Sequence, residues 1–260
     1  MAIRNGFGKF GKFGNTFFNQ SQLLGSSGGS AVESDPFFSS VSLLLHMEGA
    51  NGSTTFTDSS SNSRTVTAGG DAKISTAEKK YGNSSGLFDG SGDYCVCPGV
   101  NFFGTQNFTI EGFFRATNWG IGVTRGLWGH RSSGGFTGGA QITFTPSGGS
   151  TAALLLDISS SSTGSWFAQS FSTGLTISQD IWYHIALVRN GSTITPYLNG
   201  VAGNSVTVGS LNIAVGGSFT IGSAFTTGQY FPGNIDEFRV TQLARYTSGF
   251  TPPSKQFPDS

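Results

Sequence analysis

The sequence predicts an all-β protein, a sandwich of two antiparallel sheets, and three observations support this fold class. Helical periodicity is nearly absent after Ser40. Short runs rich in β-branched and aromatic residues alternate there with clusters of Gly, Ser, Asn and Asp. The 260 residues include 40 glycines, which suit tight turns, and 13% aromatic residues, which suit a large core. Many short strands joined by such turns are typical of a sandwich or a barrel.

Ten segments of the chain are predicted strands. In chain order they are VSLLLHM, RTVTA, DYCVC, NFTIEGFFRA, GAQITFT, TAALLLDI, WFAQSFS, IWYHIALVR, STITPYLNG and NIDEFRVT. A hairpin turn is predicted at Asn199-Gly200, because both turn positions need a positive φ angle. Pro196, in the strand before that turn, predicts a sheet edge or a bulge. Strands of this number between about Val41 and Thr251 suit a single jelly-roll sandwich, which leaves few strand edges exposed.

The pattern within two of these strands predicts how each lies in its sheet. NFTIEGFFRA carries Phe108, Ile110 and Phe114 on one face, with Glu111 and Arg115 on the other. This alternation predicts a strand with one face toward the core. IWYHIALVR is apolar on both faces, so it is predicted to be a central strand.

The charge and hydropathy of the chain exclude several partners. Lys and Arg number 14 together, as do Asp and Glu, so bulk charge identifies no partner. Charged residues are only 11% of the chain, against about 25% in typical domains, which fits a protein that works within an assembly. Apolar runs such as Leu43 to Leu45 are far shorter than the ~18 residues of a membrane span. Since no secretory signal is visible either, we expect synthesis in a cytoplasm and no membrane partner.

A series of motifs in a fixed order resembles a known family. The motifs are LLLHMEG, FTDSSSNSRTVTAGGDAKIST, GLFDGSGDYCVCP, FGTQNFTIEGFFR, WYHIALVRNGSTITPYLNG and PGNIDEFRVTQLARYTSGFTPP. Together they resemble the concanavalin A-like, laminin-G-like jelly roll, in the version common in virion proteins of tailed phages. The resemblance covers roughly Val41 to Phe257. It implies a two-sheet sandwich with a concave face, whose relatives bind glycans or protein partners, serve as structural modules or, in some cases, are glycanases.

The two cysteines are interpreted as structural. Cys95 and Cys97 are two residues apart on a predicted strand, so both point to one face. Their expected Cα separation of about 6.5 Å is near the upper limit for a disulfide, and no further ligands stand at the spacing of a zinc site. We interpret them as reduced, buried apolar residues rather than as a redox or metal pair. Similar chains usually hold aliphatic residues at these positions.

The sequence predicts no enzymatic activity. A retaining glycosidase on this fold needs two carboxylates about 5–5.5 Å apart, which a strand supplies from acids at positions i and i+2. Only Glu33 and Asp35 have that spacing, and they precede a proline in a linker. His46, His130 and His184 form no recognisable triad with a serine. His184 is interpreted as a hydrogen-bonded histidine of the core.

The segment GNIDEFRV contains three charged residues whose environment can be predicted. Strict alternation places Asp236 beside Phe238 and places Glu237 beside Arg239, as an exposed ion pair. A carboxylate among apolar residues must be paired or hydrogen-bonded. Asp236 is therefore either a structural calcium ligand, together with Asp58, or an acceptor of loop N–H groups. Related jelly rolls often carry such an ion, but no dense run of acids supports calcium here, and no other cofactor is predicted.

Aromatic residues near loops are candidates for sugar binding, which needs exposed rings beside amide or hydroxyl groups. Trp119, Trp128, Trp166 and Tyr230 lie near predicted loops, whereas Trp182 is predicted to belong to the core. Each loop aromatic can equally pack at the edge of the sandwich. The sugar sites of the family vary between members, so the glycan-binding and metal-binding residues stay unassigned.

The first 18 residues form a predicted docking arm. Phenylalanine recurs every third residue with glycine after it, and the arm is positively charged within a neutral chain. Ordering a residue costs about 1–2 kcal/mol, and burying a Phe returns about 1.5–3 kcal/mol, so a partner must supply the pockets. The predicted docking residues are Arg4, Phe7, Lys9, Phe10, Lys12 and Phe13. The alternatives are an unattached tail and, less favoured because its positive charges are few, a nucleic-acid contact.

These observations predict three regions and a function. The regions are the arm at 1–18, a Ser/Gly-rich linker at 19–40 and the jelly-roll domain at 41–260. The predicted function is a non-enzymatic structural protein of a phage virion, in the capsid, a fibre or the tail. We expect it to be a homo-oligomer or to be present in many copies in an assembly. The arm would anchor it to other virion proteins, and the lectin-like domain would be displayed and could bind host or environmental glycans. The alternatives are a free or surface-attached carbohydrate-binding module and a glycanase.

Overall fold

The structure, a computed structural model, describes residues 34–100, 103–131, 138–146, 148–160, 166–213, 218–225 and 228–260. The compact domain begins at Ser34 and ends at Ser260. It therefore includes residues 34–40, which the sequence analysis placed in the linker. The predicted docking residues of the arm lie outside the described residues. No helix among the described residues is long and apolar enough to cross a membrane.

One sheet of the domain contains nine of the described strands. They are β1 (Val41–Leu45), β3 (Lys73–Ser75), β4 (Ser85–Asp89), β6 (Phe108–Ala116), β11 (Trp182–Asn190), β12 (Thr193–Leu198), β13 (Val201–Ala202), β14 (Val206–Thr207) and β18 (Pro232–Thr241). The order is β13-β12-β11-β6-β18-β4-β3, with β1 paired to β18 and β14 paired to β12. All of these pairs are antiparallel. The central position predicted for IWYHIALVR is confirmed, since β11 lies between β6 and β12.

The second sheet contains seven of the described strands. They are β2 (Thr67–Gly69), β5 (Tyr94–Cys97), β7 (Arg125–Arg131), β8 (Gly138–Pro146), β9 (Thr151–Ser159), β10 (Trp166–Ser178) and β15 (Ser218–Ile221). The order is β10-β9-β8-β7-β15-β5-β2. A separate hairpin joins β16 (Ser223–Phe225) to β17 (Gly228–Tyr230). The predicted antiparallel sandwich of two sheets is confirmed.

The core lies between the two sheets and is rich in aromatic rings. Phe219 of the seven-stranded sheet contacts Phe238 of the nine-stranded sheet with ring centroids 5.9 Å apart. Cys95 and Cys97 belong to this core, are completely buried and are not bonded to each other. Burial raises the pKa of both thiols above the usual range. The interpretation of the two cysteines as reduced core residues is therefore confirmed.

The outer face of the nine-stranded sheet holds a buried cluster of charged residues. Glu111 of β6 accepts hydrogen bonds from the Arg239 guanidinium (Nη2 to Oε1, 2.8 Å) and from the Tyr246 hydroxyl (to Oε2, 2.7 Å). Asp35 pairs with the same arginine (3.1 Å) and with Arg245 (2.6 Å). Although burial opposes them, the arginines hold the pKa of the Glu111 carboxyl well below its usual range. This charge cluster, defined as these five residues, links the two ends of the domain to the sheet.

Both ends of the domain cover that face. The Asp35 N–H donates to the Ser260 carbonyl (2.8 Å). The Phe257 N–H donates to Glu237 (2.8 Å), and the Phe257 ring lies 3.8 Å from the guanidinium carbon of Arg239. Of the outward-facing residues of β6, Thr109, Glu111 and Phe113 are buried and Arg115 is half-buried, so this strand is covered on both faces over most of its length. His184, predicted to be a hydrogen-bonded core residue, is buried beneath this cover and bonded to a Glu111 oxygen (3.2 Å).

A β-bulge in β18 overturns the predicted faces of GNIDEFRV. Asp236 lies opposite Phe113 and Arg239 lies opposite Glu111, so β18 has one extra residue. The extra residue is Glu237, at a positive φ of 50°. Asp236 and Arg239 therefore share the outer face, while Phe238 enters the core. The prediction of an exposed Glu237–Arg239 ion pair was wrong, because both side chains are buried and each has other partners.

Truncation of the buried carboxylate should be severe. Glu111→Ala leaves the Arg239 guanidinium buried with one of its two acidic partners missing. We expect the free energy of unfolding to fall by about 3–5 kcal/mol, as for other broken buried ion pairs. Asp71→Ala is the matched control, since it removes the exposed pair between Asp71 and Lys73 (3.2 Å) and should change stability little. Urea unfolding at pH 7 compares the two variants, and equal losses would contradict the assigned role of the charge cluster.

Stability should also depend on pH through Asp236. Burial raises the pKa of this carboxyl to about 7, although the N–H groups of Lys80 (2.7 Å) and Tyr81 (3.0 Å) donate to its Oδ2. The group ionises near pH 4 in an unfolded chain, so the folded state holds the extra proton. Its stabilising contribution is complete below about pH 4 and decreases by up to about 1.4 kcal/mol per pH unit until about pH 7.

Asp236→Asn should remove this contribution, because the amide does not ionise. The stability difference between the variant and the wild type should shift in favour of the variant as the pH rises from about 5 to about 7.5. Urea unfolding at several pH values measures the two profiles. His46 also titrates, because burial lowers its pKa but the hydrogen bond to Glu237 raises it by more. Since both proteins contain His46, its contribution cancels when the two profiles are compared. Parallel profiles would show that Asp236 is not protonated in the folded domain.

Candidate functional site

The outer face of the seven-stranded sheet contains a groove of about 230 Å³. Strand alternation explains its lining, because residues such as Ile142 and Leu156 point into the core while their neighbours point outward. The groove is lined by Gln141, Thr143 and Thr145 of β8, Leu155 and Asp157 of β9, Trp166, Gln169 and Ser170 of β10, and by Thr124 and Gln229. The described ends of the domain cross the other sheet, so they leave this groove open.

Asp157 organises the polar side of the groove. Its side chain is 5% exposed, and its Oδ2 accepts a hydrogen bond from the Gln141 Nε2 (2.9 Å). Its Oδ1 accepts the Ser170 N–H (2.5 Å). Ser170 has a positive φ of 49° and lies where the pairing of β10 with β9 shifts register. The irregularity in β10 thus aims a backbone donor at the carboxylate and ties three adjacent strands together.

The β16–β17 hairpin forms one wall of the groove and depends on two glycines of β7. A Cβ atom at Gly126 would overlap the backbone nitrogen of Ala224, and one at Gly129 would overlap the Ala224 oxygen. Only glycine permits the hairpin backbone to approach β7 so closely. Within the hairpin, the Ser223 hydroxyl contacts the carbonyls of both Phe225 and Gly228. This arrangement carries Gln229 to the groove at a φ of 56°.

The structure separates the candidate sugar-binding aromatics. Trp119 and Trp128 are each 1% exposed and belong to the core. Trp166 is partly exposed and lines the groove. Tyr230 stacks on Tyr94 with ring centroids 6.4 Å apart and an interplanar angle of 17°. Trp182, predicted to be core, packs on the outer face of the nine-stranded sheet and donates its indole N–H to Glu78.

The carboxylates that the sequence singled out for calcium lie in two separate environments. Asp58 accepts hydrogen bonds from the backbone N–H groups of Leu44, Ser60 and Arg64. Asp236 accepts from two other loop N–H groups, as described above. The structure therefore shows the alternative of loop N–H donors for Asp236 and, among the described residues, no hydrogen-bonding partner shared with Asp58.

A different group of acids meets the geometric needs of a cation. Oxygens of Asp71, Asp89 and Asp93 lie within 4.8 Å of one another. Asp93 accepts the backbone N–H groups of the other two, and burial raises the pKa of its carboxyl. The hydrogen bond from Lys73 lowers the pKa of Asp71. The three carboxylates are therefore accounted for by protein contacts: Asp93 holds the turn through backbone hydrogen bonds, and Lys73 offsets part of the negative charge.

Sequence reasoning did not find the groove. It identified Trp166 as one of several aromatic candidates but named none of the glutamines or Asp157. The sequence does indicate that Gln141 and Asp157 point away from the core, because they occupy outward positions of the alternating strands GAQITFT and TAALLLDI. The pairing of β8 with β9, which places Gln141 opposite Asp157, is a long-range fact that the local pattern does not contain.

The chain matches a known family over most of its domain. The sequence profile of the concanavalin A-like lectin/glucanases superfamily matches residues 89–247. No curated protein sequence shows a significant match.

Several solved structures share the fold at low sequence identity. The binding domain of Paraclostridial Mosquitocidal Protein 1 is 18% identical with a TM-score of 0.62, over 81% of this chain and 50% of that one. The botulinum neurotoxin serotype D binding domain is 12% identical with a TM-score of 0.57, over 81% and 50%. Domain 4 of AbnA, a GH43 extracellular arabinanase from Geobacillus stearothermophilus solved with arabinotriose, is 20% identical with a TM-score of 0.56, over 78% and 93%. This chain thus spans about half the length of the two toxin domains.

Gly129→Ala should displace the hairpin wall. The added methyl group would overlap the Ala224 carbonyl, and overpacking of this kind costs about 1–3 kcal/mol. We expect a lower unfolding midpoint, measured by differential scanning calorimetry. Gly249→Ala is the matched control, because a Cβ there has a single neighbour, at 3.4 Å, and an ordinary φ angle. A Gly129→Ala midpoint equal to that of the control would contradict the close packing of the hairpin on β7.

Proposed function

Because this chain belongs to the concanavalin A-like lectin/glucanases superfamily, we propose that it is a non-enzymatic glycan-binding protein of a phage virion. The groove on the seven-stranded sheet is the binding site, and the N-terminal arm is the anchor. The observation that carries the proposal is the partly exposed indole of Trp166 beside amide and hydroxyl groups in one open groove.

The chemistry of the lining suits a sugar. An indole presents a broad apolar surface on which the C–H face of a sugar ring can pack. Gln141, Gln169, Gln229 and the threonines supply the few polar groups that fix the orientation of a ligand. The volume of about 230 Å³ is below the ~300–1,000 Å³ of pockets that enclose a whole ligand. A short stretch of a longer polymer lying across the sheet is the ligand that fits such a groove.

The acids of the groove favour binding over hydrolysis. Among the ten described residues that line it, Asp157 is the only carboxylic acid. Both of its oxygens already accept hydrogen bonds. A glycosidase needs a second carboxylate at a defined distance, and the described lining does not provide one. The arabinotriose of the AbnA domain supports the same interpretation by analogy of fold only.

The position of Asp35 supports display from an anchor. The described domain begins beside Asp35, which is bound to the outer face of the nine-stranded sheet. The groove lies on the outer face of the other sheet. The start of the described domain and the groove therefore lie on opposite faces of the sandwich, so the described N-terminal residues do not cover the groove.

Trp166→Ala should abolish or strongly weaken glycan binding. Loss of the ring removes the apolar platform, and we expect affinity to fall by about tenfold or more, since stacked aromatic contacts contribute on the order of 1 kcal/mol beyond their buried area. Phe167→Ala is the matched control, because Phe167 is the next residue, is 48% exposed and does not line the groove. A glycan array followed by calorimetry on the full chain measures both. Equal effects of the two changes would refute the groove as the site.

The anchoring role is tested in the full chain by replacing Phe7, Phe10 and Phe13 with serine. We expect the triple variant to bind glycans normally but to fail to attach to purified particles that lack this protein. Its glycan affinity is the internal control for folding. A triple variant that attaches as well as the wild type would remove the support for an anchor and would favour a free or surface-attached carbohydrate-binding module.

A further inference from the structure

The lining of the groove is uncharged except at one position. Its ten described residues include no Lys, Arg or His, and Asp157 is the only acid. Arg125, the first residue of the neighbouring strand β7, is not part of the lining and donates to the backbone carbonyls of Trp119, Gly90 and Tyr230. An anionic sugar in the groove would therefore approach a negative charge with no cation in the described lining to offset it.

Asp157 determines which end of the Gln141 amide is available. An ionised carboxylate only accepts hydrogen bonds, so the amide must turn its NH₂ group toward Asp157. The observed bond from Nε2 to Oδ2 (2.9 Å) has this direction. The opposite end, the Gln141 Oε1, has no hydrogen-bonding partner among the described residues, although the side chain is only 5% exposed. The network thus assigns the amide orientation and leaves an acceptor in need of a donor.

A second amide oxygen of the groove also lacks a hydrogen-bonding partner among the described residues. The Oε1 of Gln229 is shielded from solvent and has no partner among the described residues. Its backbone is held in the left-handed region, at a φ of 56°, by the hairpin that packs on Gly126 and Gly129. Buried acceptors are almost always satisfied in folded proteins. Two such acceptors in one groove therefore call for a ligand that is rich in donors.

Resting on the proposed glycan-binding function, we infer that the groove selects neutral, hydroxyl-rich glycans over carboxylated or sulfated ones. Binding shifts the lining enough to uncover the Oε1 atoms of Gln141 and Gln229, and sugar hydroxyls then donate to them. Asp157 is a positioning residue that holds the Gln141 amide in its accepting orientation without contacting the sugar. Its charge also disfavours anionic glycans, since the described lining offers no compensating cation.

Charge selectivity is tested with matched polymers and the full chain. The probes are an α-glucan, a β-glucan and a galactan, each in its neutral form and in a form carboxylated at C6, with binding measured by affinity electrophoresis and calorimetry. For each polymer that binds, we expect the neutral form to bind about tenfold tighter or more. Equal or tighter binding of the carboxylated form would overturn the inference while leaving the glycan-binding function in place. A wild-type chain that binds none of the six polymers would overturn both.

The positioning role is tested by reversing the amide. In Asp157→Asn, both hydrogen bonds of residue 157 can persist if the Gln141 amide turns over, which presents donors in place of the acceptor. We expect an unchanged unfolding midpoint but about tenfold weaker binding of the neutral polymer. Unchanged affinity would overturn the positioning role.

Adding Gln141→Glu to Asp157→Asn should restore binding. The new carboxylate at position 141 accepts a bond from the side-chain amide introduced at position 157 and again presents an acceptor, and the groove keeps its single negative charge. We therefore expect the double variant to recover both the affinity for the neutral polymer and the selectivity against its carboxylated form. A double variant that remains as weak as Asp157→Asn, with a normal unfolding midpoint, would refute the assigned role of the acceptor.

Discussion

The buried charge cluster on the nine-stranded sheet fastens both described ends of the domain to one face of the sandwich. Asp35, Glu111, Arg239 and Arg245 lie under both ends of the domain, joined by hydrogen bonds of 2.6–3.1 Å. Buried charges are stable only when they have partners with good geometry. If the chain ends left this face, Asp35 and the two arginines would lose these partners. The part of this sheet around Glu111 is thereby covered, and the other sheet retains the groove that contains Trp166. Beside the cover, the nine-stranded sheet keeps a pocket of about 250 Å³, lined by Val188, Asn190, Thr193, Thr195, Tyr197, Tyr246 and Thr247. The asymmetry between the faces follows from where the charges are placed, since both sheets alternate in the ordinary way.

The bulge in β18 is the local device that makes this arrangement possible. Without the extra residue, strict alternation would place Arg239 and Phe238 on the opposite faces, with the guanidinium in the core. The bulge at Glu237 restores Phe238 to the core and Arg239 to the outer face, opposite Glu111. Glu237 itself then reaches His46 (2.9 Å) and the Phe257 N–H (2.8 Å). A single inserted residue therefore sets the register of the sheet and fastens the C-terminal segment.

These features explain how far the sequence alone could lead. Strands such as β6 and β11 were predictable because alternation and β-rich composition are local signals. The burial of Cys95 and Cys97 as free thiols was predicted from the same alternation. The cover over Glu111 was not predictable, because residues 242–260 carry no periodic pattern that identifies their target. The bulge at Glu237 was missed since nothing in GNIDEFRV marks an extra residue. The groove was not found, and Trp166 was its only member among the candidates, because neither the register that places Gln141 opposite Asp157 nor the position of the β16–β17 hairpin is a local signal.

The groove differs from the charge cluster in how its polar groups are satisfied. In the charge cluster, every oxygen of the Asp35 and Glu111 carboxylates has a protein donor. In the groove, the protein satisfies Asp157 completely but leaves the amide oxygens of Gln141 and Gln229 without donors among the described residues. Unpartnered buried atoms also occur outside the groove, such as the Asp236 Oδ1 and the His184 Nδ1 on the nine-stranded sheet. The two amide oxygens differ from these because their residues line a groove together with the partly exposed Trp166. The coincidence of unpartnered acceptors with a groove is therefore the physical argument for a ligand.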